Sequence, residues 1–334
     1  MSKYRGSIAL GVILFILMFL VPFLSMGGKG RNEESTGQSA SSGKKAAVQS
    51  SADSFKILDK QSGEVLTVGG KDFVCGAVAA EMSPNAEQEA LKAQAVASYT
   101  YYGRLREKAR KSADSSLKGA DFEADTKNWQ LYVTEDGMRE KWGDNFDAYR
   151  KKIASAADAV YGQTLTCGGE LIDATYYAIS SGNTESSEDI WGGVRSYLVP
   201  VASPGDVFAG GYKTSASFSQ DEFSSRILKV SPSSSFSGEA SSWVGKIERT
   251  KSGSVKSIAI GGQDVAGSLV RSALGLRSSD FTVDFKDGAF LFTVKGYGHG
   301  VGMSQAGAQY MAKQGAGYKE ILSWYYPTAE LTAA

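Results

Sequence analysis

Histidine is nearly missing from this chain: His299 is the one such residue among 334. With one histidine and two cysteines, the sequence cannot supply the four Cys or His ligands of a structural zinc site. The same shortage removes a zinc amidase from consideration. Any Ser–His triad or Cys–His dyad would have to use this one imidazole, and no GxSxG elbow marks a serine nucleophile. The cysteines, Cys75 and Cys167, form no CxxC. An outward-facing domain offers them a disulfide, yet Cys75, within Phe73-Val74-Cys75-Gly76-Ala77-Val78, reads better as a small buried apolar residue. An excess of either charge is absent as well, since 36 Lys and Arg balance 36 Asp and Glu. Nucleic-acid-binding domains carry a basic excess, so the balance argues against such a partner. There is no internal repeat and no βαβ regularity. Helices and antiparallel strands interleave, which makes the class α+β.

The longest apolar run covers residues 8–26, without a charge. It is long enough to cross a bilayer as a helix, and Pro22 is tolerable there. Lys3 and Arg5 precede it and Lys29 and Arg31 follow, so orientation rests on the very short leading tail, which favours N-terminus inside. A cleaved signal peptide is the rival, although the run exceeds a usual signal core and Ser25 and Gly27 make a poor cleavage site. The expected layout is a cytoplasmic tail over 1–7, a transmembrane anchor over 8–26, a flexible Ser/Gly/Lys-rich linker over 27–54 and one mixed domain over 55–331.

Within that domain, residues 55–59 and 65–68 read as strands around Gln61-Ser62-Gly63. Residues 72–80 read as an apolar helix ending at Glu81. Ser83-Pro84 is a helix-start signal, followed by a core stripe of Leu91, Ala95, Ser98, Tyr102 and Leu105 at helical spacing. Trp129 and Tyr132 anchor an irregular stretch. Helices are expected over 146–160, 265–274, 303–314 and 318–325. Strands are expected over 163–166 and 171–179. A strand and then a helix fill 215–227, and hairpins turn at Ser252-Gly253 and Asp287-Gly288.

Three places hold candidate chemistry. Glu81 follows Val78-Ala79-Ala80, surroundings that raise a carboxyl pKa and so suit a proton donor; the plain alternative is a helix-end glutamate in solvent. The loop Ser180-Ser181-Gly182-Asn183-Thr184-Glu185 offers neutral hydrogen-bond partners fit for a polyhydroxyl ligand, with Trp191 beyond it as a stacking indole; the alternative is an ordinary polar turn before a core tryptophan. His299 sits in Gly296-Tyr297-Gly298-His299-Gly300-Val301-Gly302-Met303-Ser304-Gln305, whose glycines allow close approach of a ligand. It is catalytic, ligand-binding, or a satisfied turn histidine.

Several of these stretches occur together in one known domain. Gly76-Ala77-Val78-Ala79-Ala80-Glu81-Met82 and Glu89-Ala90-Leu91-Lys92-Ala93-Gln94-Ala95-Val96-Ala97 resemble the start of the SpoIID/LytB domain. Asp189-Ile190-Trp191-Gly192, Leu274-Gly275-Leu276-Arg277-Ser278, the glycine-rich histidine stretch and Tyr325-Tyr326-Pro327 continue the resemblance in family order. It implies a single domain with a long substrate groove, acting as a peptidoglycan lytic transglycosylase on strands already stripped of peptide. In sporulating cells such a protein thins the septal wall for engulfment, on the mother-cell engulfing membrane, with its catalytic domain on the wall-facing side. It works there with the amidase SpoIIP and the membrane protein SpoIIM.

The family's catalytic glutamate falls on Glu81. Lys92, Gln94, Ser180, Ser181, Gly182, Asn183, Thr184, Glu185, His299, Ser304 and Gln305 would line the groove. One carboxylate suffices where most glycosidases need two, because the sugar's own C6 hydroxyl can attack and leave a 1,6-anhydromuramyl end. No cofactor is needed. Family members that hold zinc use a histidine where Tyr177 stands here, and an arginine of the second helix is replaced by Tyr99. A different implication is a glycan-binding modifier that stimulates a wall amidase without cleaving.

Overall fold

A computed structural model describes residues 53–333. Its spine is helix α2 (Gln88–Lys111), rich in alanine and straight-chain residues that favour helix. Ala90, Leu91, Ala93, Ala95, Val96 and Ala97 are buried in it, and its last turn holds Lys108, Arg110 and Lys111, which suit the negative helix end. Before it come strands β1 (Ser54–Asp59) and β2 (Val65–Gly69) and helix α1 (Gly70–Glu81). Strand β3 (Phe122–Ala124), helices α3 (Glu135–Trp142) and α4 (Phe146–Val160), and strand β4 (Gln163–Cys167) follow.

The first core is built where α1 and α4 pack on α2. Phe55 stacks on Phe73 at 4.1 Å between ring centres, and Phe73 meets Tyr102 edge-on at 5.1 Å. Each fully buried phenylalanine here contributes about 2 kcal/mol relative to exposure. Gly76 has to be glycine, because a Cβ there would lie 2.3 Å from the Tyr132 ring and 2.6 Å from the Val133 carbonyl oxygen.

Strands β5 (Glu170–Leu171) and β6 (Tyr176–Tyr177) and helix α5 (Ser187–Trp191) lead to a second cluster of buried apolar residues. That cluster uses β7 (Lys213–Ser219), α6 (Gln220–Leu228), β8 (Val244–Arg249), β9 (Val255–Ile260), β10 (Gln263–Ala266), α7 (Gly267–Leu274), β11 (Asp280–Lys286) and β12 (Ala289–Lys295). Two three-stranded sheets, ordered β11-β12-β7 and β10-β9-β8, enclose Phe223, Phe281, Phe290 and Phe292. The β11–β12 hairpin turns at Asp287 and Gly288, both at positive φ, 53° and 77°, as such a turn demands. The chain closes with β13 (Met303–Ser304), α8 (Gln305–Lys313), α9 (Tyr318–Tyr325) and β14 (Glu330–Ala333), the last paired with β4.

Several expectations are corrected here. The transmembrane helix preceding the domain is overturned as part of the fold: no helix among the described residues is long and apolar enough to cross a membrane. The apolar run 8–26, the tail 1–7 and nearly all of the linker 27–54 lie outside the described residues. The single-pass localisation that rested on the anchor goes with it. Helix α2 begins at Gln88 rather than at Ser83-Pro84. Ser83 Oγ accepts the Asn85 N–H at 3.2 Å, a local turn that competes with helix, and the Glu87 N–H donates to Gln309 Oε1 at 2.7 Å. The strand expected over 171–179 breaks, because Arg104 takes the Leu171 carbonyl at 2.6 Å and Asp173 turns to arginines. Not every strand is antiparallel: β1–β3 and β6–β13 pair in parallel. Cys75 and Cys167 are free, and burial pushes the Cys75 thiol up to about 11.

Candidate active site

Glu81 is the last residue of α1. At Met82 the chain leaves the helix in extended conformation, with φ −125° and ψ 148°. The helix before it is buried nearly throughout, so the carboxyl group is held at the edge of the core with little freedom. Burial raises its pKa above the ordinary range, opposed by a hydrogen bond from Gln305. The negative end of α1 acts in the same direction as burial.

Gln305 opens α8, whose N-terminus is capped by Ser304 Oγ accepting the Gly307 N–H at 3.2 Å. Its side-chain amide donates to Glu81 Oε2 at 3.4 Å and to Gln94 Oε1 at 3.3 Å. Gln94 Nε2 in turn donates to Ser98 Oγ at 3.1 Å, and Ser98 Oγ to the Tyr176 hydroxyl at 3.3 Å. A line of neutral polar groups thus runs from the carboxyl into the domain, and it contains no cation to draw a proton off Glu81.

Three adjoining cavities form a groove past this carboxyl. One of about 180 Å³ is lined by Glu81, Tyr101, Tyr102, Tyr176 and His299. A second, of about 350 Å³, shares Glu81 and runs along Asn85, Gln305 and Gln309. A third, of about 410 Å³, shares Tyr101, Thr175 and His299 with the first and reaches Trp191 and Arg195. Glu81 therefore stands between open space on both sides.

His299 is held by its backbone surroundings. Its Nδ1 accepts the Val301 N–H at 3.2 Å, so Nε2 carries the proton and donates it to the Tyr176 carbonyl at 3.1 Å. Burial and the nearby Arg271 charge lower its pKa to about 4. Both ring nitrogens are occupied, which leaves the ring neutral and its face available. Trp191, half exposed, has its ring 5.2 Å away. Gly302 permits this arrangement: at φ +85°, a Cβ there would fall 2.0 Å from the Thr175 carbonyl oxygen.

Comparison with known proteins places the sequence in a family. Residues 59–167 match the family model SpoIID, "Stage II sporulation protein". Over 329 residues the chain is 32% identical to stage II sporulation protein D of Bacillus amyloliquefaciens, covering 97% of this chain and 93% of that one. This chain belongs to the SpoIID family. The protein of the same name from Bacillus subtilis matches with the same identity and coverage. The amidase enhancer of Bacillus subtilis is 27% identical over 309 residues, 77% of this chain and 40% of the relative.

The fold divides the residues expected along the groove of this SpoIID-family chain. Glu81, Gln94, Gln305 and His299 come together. Lys92 does not join them: it pairs with Glu89 at 2.6 Å. Ser180, Thr184, Glu185 and Ser304 are each at most 2% exposed and carry internal bonds. Ser180, through its N–H and hydroxyl, and Ser304, through its hydroxyl at 2.9 Å, converge on the fully buried Asp206. Glu185 accepts from Thr250 at 3.0 Å and from the Ser254 N–H at 3.2 Å. Ser181, Gly182 and Asn183 remain at the surface, and Ser181 and Asn183 border a small polar notch on the far side of His299.

The sequence did not point to Asp206, Tyr101 or Arg195: Asp206 lies in the short 3-10 turn Pro204–Phe208, Arg195 in a connecting segment, and Tyr101 on α2 beside the stripe residue Tyr102. Tyr177 lies buried 5.4 Å from the His299 ring, and Tyr99 is bonded to Asp53 at 3.0 Å, away from all three cavities. Among the described residues, no cluster of three His, Cys, Asp or Glu side chains is placed to hold a metal ion.

Proposed function

We propose that this chain is a lytic transglycosylase that cleaves peptide-stripped peptidoglycan strands, with Glu81 as both acid and base. The observation that carries the reading is the position of Glu81: it is the one carboxyl lining the two cavities that meet there, and burial raises its pKa, which favours the protonated form. Gln305 donates to Oε2, so the proton sits on Oε1. From there it passes to the glycosidic oxygen as the C1–O bond breaks. The carboxylate so formed then takes the proton of the C6 hydroxyl as that oxygen bonds to C1, closing the 1,6-anhydro ring. No water enters, and the nucleophile is already tethered, which is the advantage of an intramolecular reaction. The proposed setting is wall thinning in sporulation, with SpoIIP supplying stripped strands and SpoIIM as a further partner. The test is to incubate the protein alone with peptide-free strands and examine the products by mass spectrometry for anhydromuramyl ends.

A second reading is favoured by the relatives' names. One is an amidase enhancer, and none of the three is named as a lyase. On that reading the groove binds glycan and speeds a wall amidase. No cleavage by the protein alone, with faster amidase action in its presence, would decide for the enhancer.

In either case His299 holds sugar rather than moving protons. His299→Ala is expected to weaken glycan binding about tenfold, the loss of one ring contact. The wild-type rate should show no step belonging to His299 near pH 6.5, because the imidazole stays neutral down to about 4. A rate that titrates near 6.5 and loses that step in His299→Ala would return the histidine to proton transfer.

A further inference from the structure

The third cavity ends in an unusual charge arrangement. Asp173 and Arg195 are the charged side chains that line it. Arg195 Nε donates to Asp173 Oδ2 at 2.8 Å, while Arg104 Nε takes the other oxygen, Oδ1, at 2.7 Å. Two guanidinium groups therefore share one carboxylate, and the end of the groove carries one positive charge in excess. Arg195 is braced as well through its backbone, whose N–H donates to Ser187 Oγ at 3.0 Å. A Cβ on Gly193 would sit 3.4 Å from Arg195 Nη1, so glycine leaves that edge of the guanidinium uncovered. Beside it stand the exposed Trp191 indole and the His299 ring, surfaces on which a sugar can lie.

Resting on the glycan-strand reading above, we propose that Arg195 is a specificity residue that binds the free carboxylate of a sugar's lactyl ether. In peptidoglycan this carboxyl is tied up as an amide to the peptide stem. Hydrolysis of that amide adds water and releases an amine and a carboxylate, one new negative charge for each stripped unit. A neutral amide with a peptide attached offers neither the charge nor the space. Arginine suits the task because its planar fork binds a carboxylate through two parallel N–H groups. Asp173 holds the fork in place, and Arg104 offsets the charge of Asp173, so a second carboxylate is attracted rather than repelled. The groove thereby favours strands on which an amidase has already acted.

Binding is measured with two probes, peptide-free muramyl strands and neutral N-acetylglucosamine oligomers of equal length. Wild type should bind the carboxylated probe about fivefold more tightly, a preference that shrinks as salt rises. Arg195→Gln should lose most of that preference and keep its affinity for the neutral probe. Arg195→Lys should restore part of it. Unchanged preference in Arg195→Gln overturns the proposal. So does equal binding of the two probes by wild type, and that result leaves the groove reading standing. If wild type binds neither probe, the groove reading itself fails. Because binding is read, the answer does not depend on Glu81 being catalytic.

Discussion

Glu81→Gln is expected to abolish release of anhydromuramyl products, a fall of about a thousandfold or more, while the affinity for peptide-free strands stays within a factor of two or three. Glutamine keeps the shape and the contact with Gln305 but has no proton to give and accepts none from a C6 hydroxyl. Wild-type cleavage should fall as pH rises through the raised carboxyl pKa, since in the proposed mechanism the protonated form starts the reaction. The same shift has a sign for stability. A carboxyl whose folded pKa lies above its unfolded value binds more protons when folded, so stability declines as pH climbs past the unfolded value. At neutral pH Glu81→Gln removes that cost, and the variant should melt slightly above wild type. Product analysis and a thermal melt check the two halves. Wild-type levels of anhydro ends from Glu81→Gln would sink the assignment.

Asp206→Ala is expected to cost about 3 kcal/mol, seen as a melting point lower by roughly 6 °C or more. Asp206 is fully buried and accepts from the Ser180 N–H, the Ser180 hydroxyl and the Ser304 hydroxyl. Ser304 also caps α8, whose first residue bonds Glu81. Nearby, Ser203 Oγ and the Tyr325 hydroxyl lie 2.6 Å apart, which ties the same region to α9. Alanine would leave several buried donors without acceptors. An asparagine side chain would keep one acceptor oxygen, and since burial already raises the Asp206 pKa, Asp206→Asn should recover more than half of the loss. A melting point for Asp206→Ala within a degree of wild type would show that the network is not a keystone.

The sequence made α1, α4, the 318–325 helix and the Asp287-Gly288 hairpin readable, because local chemistry decides them. Alanine-rich and amphipathic runs specify helix, and an Asp-Gly turn accepts positive φ. It misplaced the start of α2 and the continuity of residues 171–179, because both depend on partners far along the chain. Gln309 takes the Glu87 N–H across 222 positions, and Arg104 takes the Leu171 carbonyl across 67. The missed strand β14 has the same cause, since its edge exists once β4 is beside it.

The site divides in the same way. Its family motifs and an apolar setting drew attention to Glu81, and a lone histidine among glycines drew it to His299. By itself the sequence determined which groups are present and that no second histidine or cysteine cluster competes with them. Tertiary structure alone decided their surroundings. It spent Ser180, Thr184, Glu185 and Ser304 on internal hydrogen bonds, since a buried polar group must be paired. It fixed both nitrogens of His299 to backbone. It set Glu81 beside Gln305, 224 residues away, in surroundings where burial raises the carboxyl pKa. Motif spacing along a chain does not encode desolvation; the packing of distant segments around a carboxyl does.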